Sequence, residues 1–212
     1  MQHRIFIAIN LPEEIKKELE NLEKETAELF PQETSRGLVR WIKKDNLHIT
    51  LLFLGYLKEE DIPQICQIVK EISKIQTIFS LEFKKVLYGP PNKIPPRLVW
   101  VELGKNRELT GLVEKLKQKV EETGILRKIE KTRLQRYALH CGQGEFSPHI
   151  TLGRIKTWQW RKIEPEERPD IGKDISLNFQ VHSIEVMESQ LKRSGAEYTV
   201  LESAPLSNPG KL

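Results

Sequence analysis

The tetrapeptide His48-Ile49-Thr50-Leu51 is written again at His149-Ile150-Thr151-Leu152, 101 positions later (149 − 48 = 101). Each copy closes the same run of elements, and that constrains the fold more than any other feature. Before the first copy, RIFIAIN (4–10) has the isoleucine-rich pattern of a strand. Leu11, Ile15, Leu19, Leu22 and Leu29 then recur at helical spacing, with Asn10 expected as N-cap and Pro12 in the first turn. Before the second copy, RLVWVEL (97–103) is again a strand. Leu109, Leu112, Val113, Leu116 and Val120 follow on one helical face, with Asn106 as the expected N-cap and Gly124 as the stop. Strand, helix, motif occurs twice: a diverged internal duplication.

The rest of the chain extends the plan. Residues 61–75 carry Ile62, Ile65, Val69 and Ile72 at helix period, and 81–89 read as a strand. Residues 175–189 alternate as one bent or two short strands, and GAEYTVLESAPL supplies a last one. The proline- and charge-rich stretch 158–173 is expected as loop, and the tail 207–212 as frayed. The predicted architecture is α+β: two pseudo-symmetric lobes, each a mainly antiparallel sheet with helices packed outside, and an active-site cleft between them. Residues 1–212 are read as a single two-lobed domain.

Apolar residues are 38% and charged ones 30% of the 212, and no apolar run approaches the ~20 residues of a membrane span. The opening MQHRIFIAINLPEE meets acidic residues too soon for a signal peptide, so a cytoplasmic location, no membrane partner and a monomer are expected. Net charge of +4 is compatible with a polyanionic partner without requiring one. Two cysteines, Cys66 and Cys141, make no disulfide framework. Cys66 reads as a small buried thiol, and His140-Cys141 with His149 lacks the second ligand pair of a metal site.

In a strand, residues two apart share a face, so His48 with Thr50, and His149 with Thr151, would project together while the intervening apolar residues are buried. Two converging half-sites would supply two imidazoles and two hydroxyls. An imidazole titrates near ~6.5, so one ring can act as base and the other as acid near neutrality. Opening a cyclic phosphate with water needs both, and hydroxyls can donate to the phosphate oxygens as charge gathers there. Neither tetrapeptide contains a carboxylate, which suits an anionic substrate and speaks against bound Mg²⁺. No cofactor is expected, nor a metal. No GxxxxGK[ST] or GxGxxG occurs.

With these motifs in view, the chain resembles the two-histidine (2H) phosphoesterase superfamily, defined by paired H-x-T-x motifs in two similar lobes. It is most similar to the RNA 2′,3′-cyclic phosphodiesterase branch, also called the 2′-5′ RNA ligase family. RIFIAINLP, LHITLLFLG, RLVWVEL, SPHITLGR and VMESQLKRSGAEYTVLE carry the resemblance over almost the whole length. It implies hydrolysis of RNA 2′,3′-cyclic phosphate ends to a 2′-phosphate, with 2′-5′ ligation as the reverse. The partner implied is RNA with a terminal 2′,3′-cyclic phosphate, tRNA fragments among the candidates. By resemblance, His48 is the proton donor, His149 the proton acceptor, Thr50, Thr151 and Arg154 bind phosphate, and Phe53 stacks on the terminal base. From the residues alone, the alternative for Phe53 is a core residue and for Arg154 a solvated surface charge.

The chain departs from the family before the second motif, where GILRKIEKTRLQRYALHCGQGEFSPH is longer and more basic. Arg127, Lys128, Lys131, Arg133 and Arg136 could track an RNA backbone or form a solvated helix face. Two other readings stay open: the same chemistry on another ribose cyclic phosphate, such as an ADP-ribose cyclic phosphate, and an inactive RNA-end-binding module.

Overall fold

The computed structural model describes residues 1–30, 37–91, 93–125, 146–192 and 195–208. The basic positions 127–136 and the pair His140-Cys141 lie outside them. The strands join into one sheet in the order β10-β9-β1-β3-β6-β5-β4-β7, where β1 is Gln2–Asn10, β3 His48–Lys58, β4 Phe79–Gly89, β5 Leu98–Leu103, β6 His149–Ile155, β7 Lys173–Asp174, β9 Ser183–Lys192 and β10 Gly195–Pro205. Off this path, β2 (Val39–Trp41) pairs with β6 and β8 (Asn178–Val181) with β4. Every pairing between these strands is antiparallel.

Two lobes meet at the β3–β6 seam, held by a single backbone pair, Ile49 with Ile150. The lobes do not coincide with the halves of the sequence. β9, from the second half, pairs with β1, and β4, from the first half, pairs with β5. β4 thus crosses to the lobe of the second motif and β9 to the lobe of the first, while β7 and β8 stay with β4 beside the second motif and β2 pairs with β6.

Helices α1 (Glu13–Glu28), α2 (Ile62–Ile75) and α3 (Arg107–Glu122) bury apolar stripes in the main core: Ile15, Leu19 and Leu22; Ile65, Val69 and Ile72; Leu109, Leu112, Leu116 and Val120. Each such side chain stabilises the fold by roughly 1.5–3 kcal/mol relative to an exposed one. Asn106 caps α3 as expected, accepting the Leu109 N–H at 2.8 Å, and Gly124 follows the helix in the left-handed conformation (φ 69°). Asn10 does not cap α1. The chain stays extended through Pro12, and the Asn10 side chain accepts only the adjacent Leu11 N–H. Its own N–H is taken by the buried Glu185 carboxylate, so β1 pairing outweighs the cap.

Residues 175–189 form two strands, β8 and the start of β9, and the stretch expected as loop holds a short helix α4 (Thr157–Trp160) that buries Trp160. Ser207, expected to fray, is held: its N–H donates to the Gln76 carbonyl at 2.8 Å. Residues 209–212 lie outside the described set. No helix among the described residues is long and apolar enough to cross a membrane.

Candidate active site

Ile49 and Ile150 are partners across the seam and both are fully buried. Ladder partners share a face, so the residues on either side of them, His48, Thr50, His149 and Thr151, project from the other face. The antiparallel sense brings Thr50 beside His149 and His48 beside Thr151. The repeated tetrapeptide therefore assembles one polar cluster at the join of the lobes.

The two imidazoles are held alike. His48 Nδ1–H donates to the Asn46 carbonyl at 2.7 Å, and His149 Nδ1–H to the Ser147 carbonyl at 2.8 Å. A carbonyl only accepts, so both neutral rings carry their proton on Nδ1 and leave Nε2 as a proton acceptor. In the free site, the Thr50 hydroxyl donates to His48 Nε2 at 3.0 Å. Burial pushes the His48 pKa down to about 4. The Asn46 bond opposes this, while the positive charges of His149, Arg154 and Lys16 reinforce it. Burial also lowers His149, against the Ser147 bond. Lys16, itself buried and with a pKa lowered by desolvation, donates to the Asp45 carbonyl at 3.4 Å in the Lys44–Asn46 turn that holds His48.

Phe53 and Arg154 reach this face through matching irregularities. Both stand five residues after a motif histidine, an odd offset that simple alternation would turn into the core. In β3, Thr50 pairs with Ala8 and Leu52 with Ile7, which leaves Leu51 as an extra residue. In β6, Thr151 pairs with Trp100 and Gly153 with Val99, which leaves Leu152 extra. The same motif position bulges in both lobes and flips the alternation. Phe53 emerges 37% exposed beside Phe6 (centroids 5.6 Å apart), with the Arg4 guanidinium 5.8 Å from its centroid. Arg154 is likewise exposed.

The sequence reading missed the aromatic frame. His48 meets Phe6 and, edge-on, Tyr198, each at 5.1 Å between centroids. His149 lies against Trp100 at 4.1 Å. Phe6 and Trp100 were visible only as apolar strand residues, because the register that turns them to this face comes from the bulges. Cys66 is partly buried beside the core, and burial raises its thiol pKa. His182 is exposed, and His3 pairs with Glu188 at 2.7 Å, so neither belongs to the cluster.

Residues 9–100 match the family profile described as LigT like Phosphoesterase. A Thermus thermophilus protein named RNA 2′,3′-cyclic phosphodiesterase is 30% identical over 205 residues, covering 96% of this chain and 90% of the relative. This chain belongs to the LigT-like phosphoesterase family. A Thermotoga maritima relative of the same name is 29% identical over 202 residues, 93% of this chain and 92% of its own. Among solved structures of LigT-like shape, a Thermus thermophilus protein matches with a TM-score of 0.74 at 26% identity, over 97% of this chain and 99% of that one. Escherichia coli LigT in its apo form matches in fold with a TM-score of 0.71 at 23% identity, over 98% and 99%.

Proposed function

We propose that this protein is a phosphodiesterase that opens the 2′,3′-cyclic phosphate at RNA ends and leaves a 2′-phosphate. The observation that carries the reading is the matched locking of two imidazoles at one seam, each with Nδ1 tied to a carbonyl and Nε2 left to work. His149 Nε2 takes a proton from the attacking water as the new P–O bond forms. The bond from phosphorus to the 3′ oxygen breaks, and His48, protonated in the complex, supplies that oxygen with its proton. Thr50, Thr151 and Arg154 bind the non-bridging oxygens, where negative charge gathers. With an RNA 5′-hydroxyl in place of water, attack on the same phosphorus with release of the 3′ oxygen leaves a 2′-5′ linkage, His149 taking the hydroxyl proton and His48 protonating the 3′ oxygen. The two rings exchange roles when that linkage is cleaved back to the cyclic phosphate.

RNA is favoured over other ribose cyclic phosphates by the names of the relatives and by the exposed Phe53 ring, which offers a π-face to a terminal base. tRNA fragments ending in a cyclic phosphate fit the same requirement. One chain carries both half-sites, so a monomer suffices. The test is phosphorus NMR of a cyclic-phosphate-ended oligonucleotide after incubation with the protein, alongside mononucleotide and ADP-ribose cyclic phosphates. Conversion to a 2′-phosphomonoester is expected, with the oligonucleotide turned over fastest and a chelator without effect. His48→Ala and His149→Ala each lose roughly 10²–10⁴ in kcat while keeping the wild-type circular dichroism. Failure to open any ribose cyclic phosphate, or a 3′-phosphate product, defeats the reading.

A further inference from the structure

We propose that Trp100 is a positioning residue for His149: its indole sets the plane of the imidazole and stabilises the imidazolium formed when that ring takes a proton from water. The proposal rests on the phosphodiesterase reading above. It comes from a difference between two half-sites that otherwise match.

Motif, bulge and carbonyl lock are common to both lobes. The residue paired with the motif threonine is not. Opposite Thr50 stands Ala8, the smallest side chain available short of glycine; opposite Thr151 stands Trp100, the largest. Ladder partners share a face, so the indole lies among the polar cluster. Trp100 is 3% exposed, and its ring centroid is 4.1 Å from that of His149 with the planes inclined by 38°. Among the described residues its buried Nε1–H has no hydrogen-bond partner. Packing places the indole instead. A Cβ on Gly89 would come within 2.6 Å of Cε2 and Cε3 of the ring, so the glycine provides the space in which the indole lies.

A tryptophan face attracts a cation within about 6 Å of its centroid more strongly than the other aromatic rings do, and more so when water is excluded. Neutral imidazole gains little from such a contact; imidazolium gains the electrostatic term. The contact therefore favours the protonated product of general-base catalysis in a place where burial opposes it. Its effect is directed at the lobe of His149, because His48 faces the weaker Phe6 ring at 5.1 Å and an edge-on Tyr198. Among the described residues, the titratable neighbours by pairing are Glu102, the ladder partner of His149 on β5, and Lys85 on β4, which pairs with Glu102; His48 lies across the seam, where the charges of His149 and Arg154 are both felt.

Trp100→Leu keeps apolar bulk and removes the π-face. We expect kcat to fall about tenfold, the effect of a desolvated cation–π contact, with KM changed less than about twofold. The acidic limb of the kcat profile should move to lower pH, because a base that has lost stabilisation of its cation protonates less readily. Trp100→Phe should recover most of kcat. A second measurement leaves the indole untouched: an imidazolium quenches the fluorescence of an indole in contact with it. Wild-type emission should drop on acidification with a component that is absent in both His149→Gln and Trp100→Phe. Wild-type kcat and acidic limb in a folded Trp100→Leu, or the same pH course of emission in wild type and His149→Gln, overturns the proposal. A wild-type protein that opens no ribose cyclic phosphate defeats the functional reading, whereas the fluorescence titration still decides the stack.

Discussion

Each motif histidine has Nδ1–H tied to a carbonyl two residues back, which leaves Nε2 as the acceptor nitrogen, taken at His48 by the Thr50 hydroxyl, and this fixes the proton count of the resting site. With His48 depressed to about 4 and His149 also lowered, both rings are neutral near pH 7. An acid–base pair needs one proton between them, and the negative charge of a bound phosphate is what draws it in, by favouring an imidazolium. Two profiles should therefore separate. For kcat/KM, which reports the free enzyme, both limbs belong to histidines lowered by burial, so the maximum should lie on the acid side of ~6.5. For kcat, which reports the complex, phosphate raises the acid and the maximum should lie at higher pH. A kcat/KM maximum above ~6.5 in steady-state assays would contradict buried, neutral imidazoles. The residue types of this site were legible in the sequence because two histidines recur with two threonines. The locks were not, because their acceptors are the carbonyls of Asn46 and Ser147, and any residue offers a carbonyl.

Among elements, the bulges decide what reaches the site. Period-two alternation places His48 with Thr50 and His149 with Thr151 correctly, then fails one residue later in both strands. Leu51 and Leu152 each add a residue that the partner strand does not match, and no hydropathy pattern announces it, since a bulged leucine remains a buried leucine. Only resemblance to a family placed Phe53 and Arg154 at the site. Gly153, just after the second bulge, is a place to test the device. A Cβ there would come 2.5 Å from Val39 Cγ1 and 2.9 Å from Trp41 Cε3, on the β2 strand packed beside it. Gly153→Ala should destabilise by about 1–3 kcal/mol in chemical denaturation, as overpacking does. Because Arg154 is the next residue, KM should rise more than kcat falls. An unchanged KM in a destabilised variant would separate the bulge from phosphate binding. Asn10 and Asn106 teach a related lesson: both precede helices, yet only Asn106 caps one, because a buried Glu185 had already claimed the end of β1.

At the scale of the molecule, the repeated order of strand, helix and motif was legible and the exchange of strands was not, since local periodicity says where a strand is and nothing about which neighbour it chooses. The crossing of β4 and β9 has a direct consequence for dissection. Chains cut to 1–96 and 97–212 should each lack a strand that their own lobe needs, and neither should unfold cooperatively in a thermal melt followed by circular dichroism. Mixed, they should regain both the transition and activity. A cooperative melt from either piece alone would mean that the lobes are self-sufficient. The seam has a further consequence. A β3 or β6 strand with no neighbour would present a bare row of amide and carbonyl groups, the kind of rim that recruits strands from other molecules. In this fold the pairing that brings the two motifs side by side also covers part of that rim, with β2 covering more of β6, so a chain that parts at Ile49 and Ile150 becomes at the same moment adhesive to its own copies.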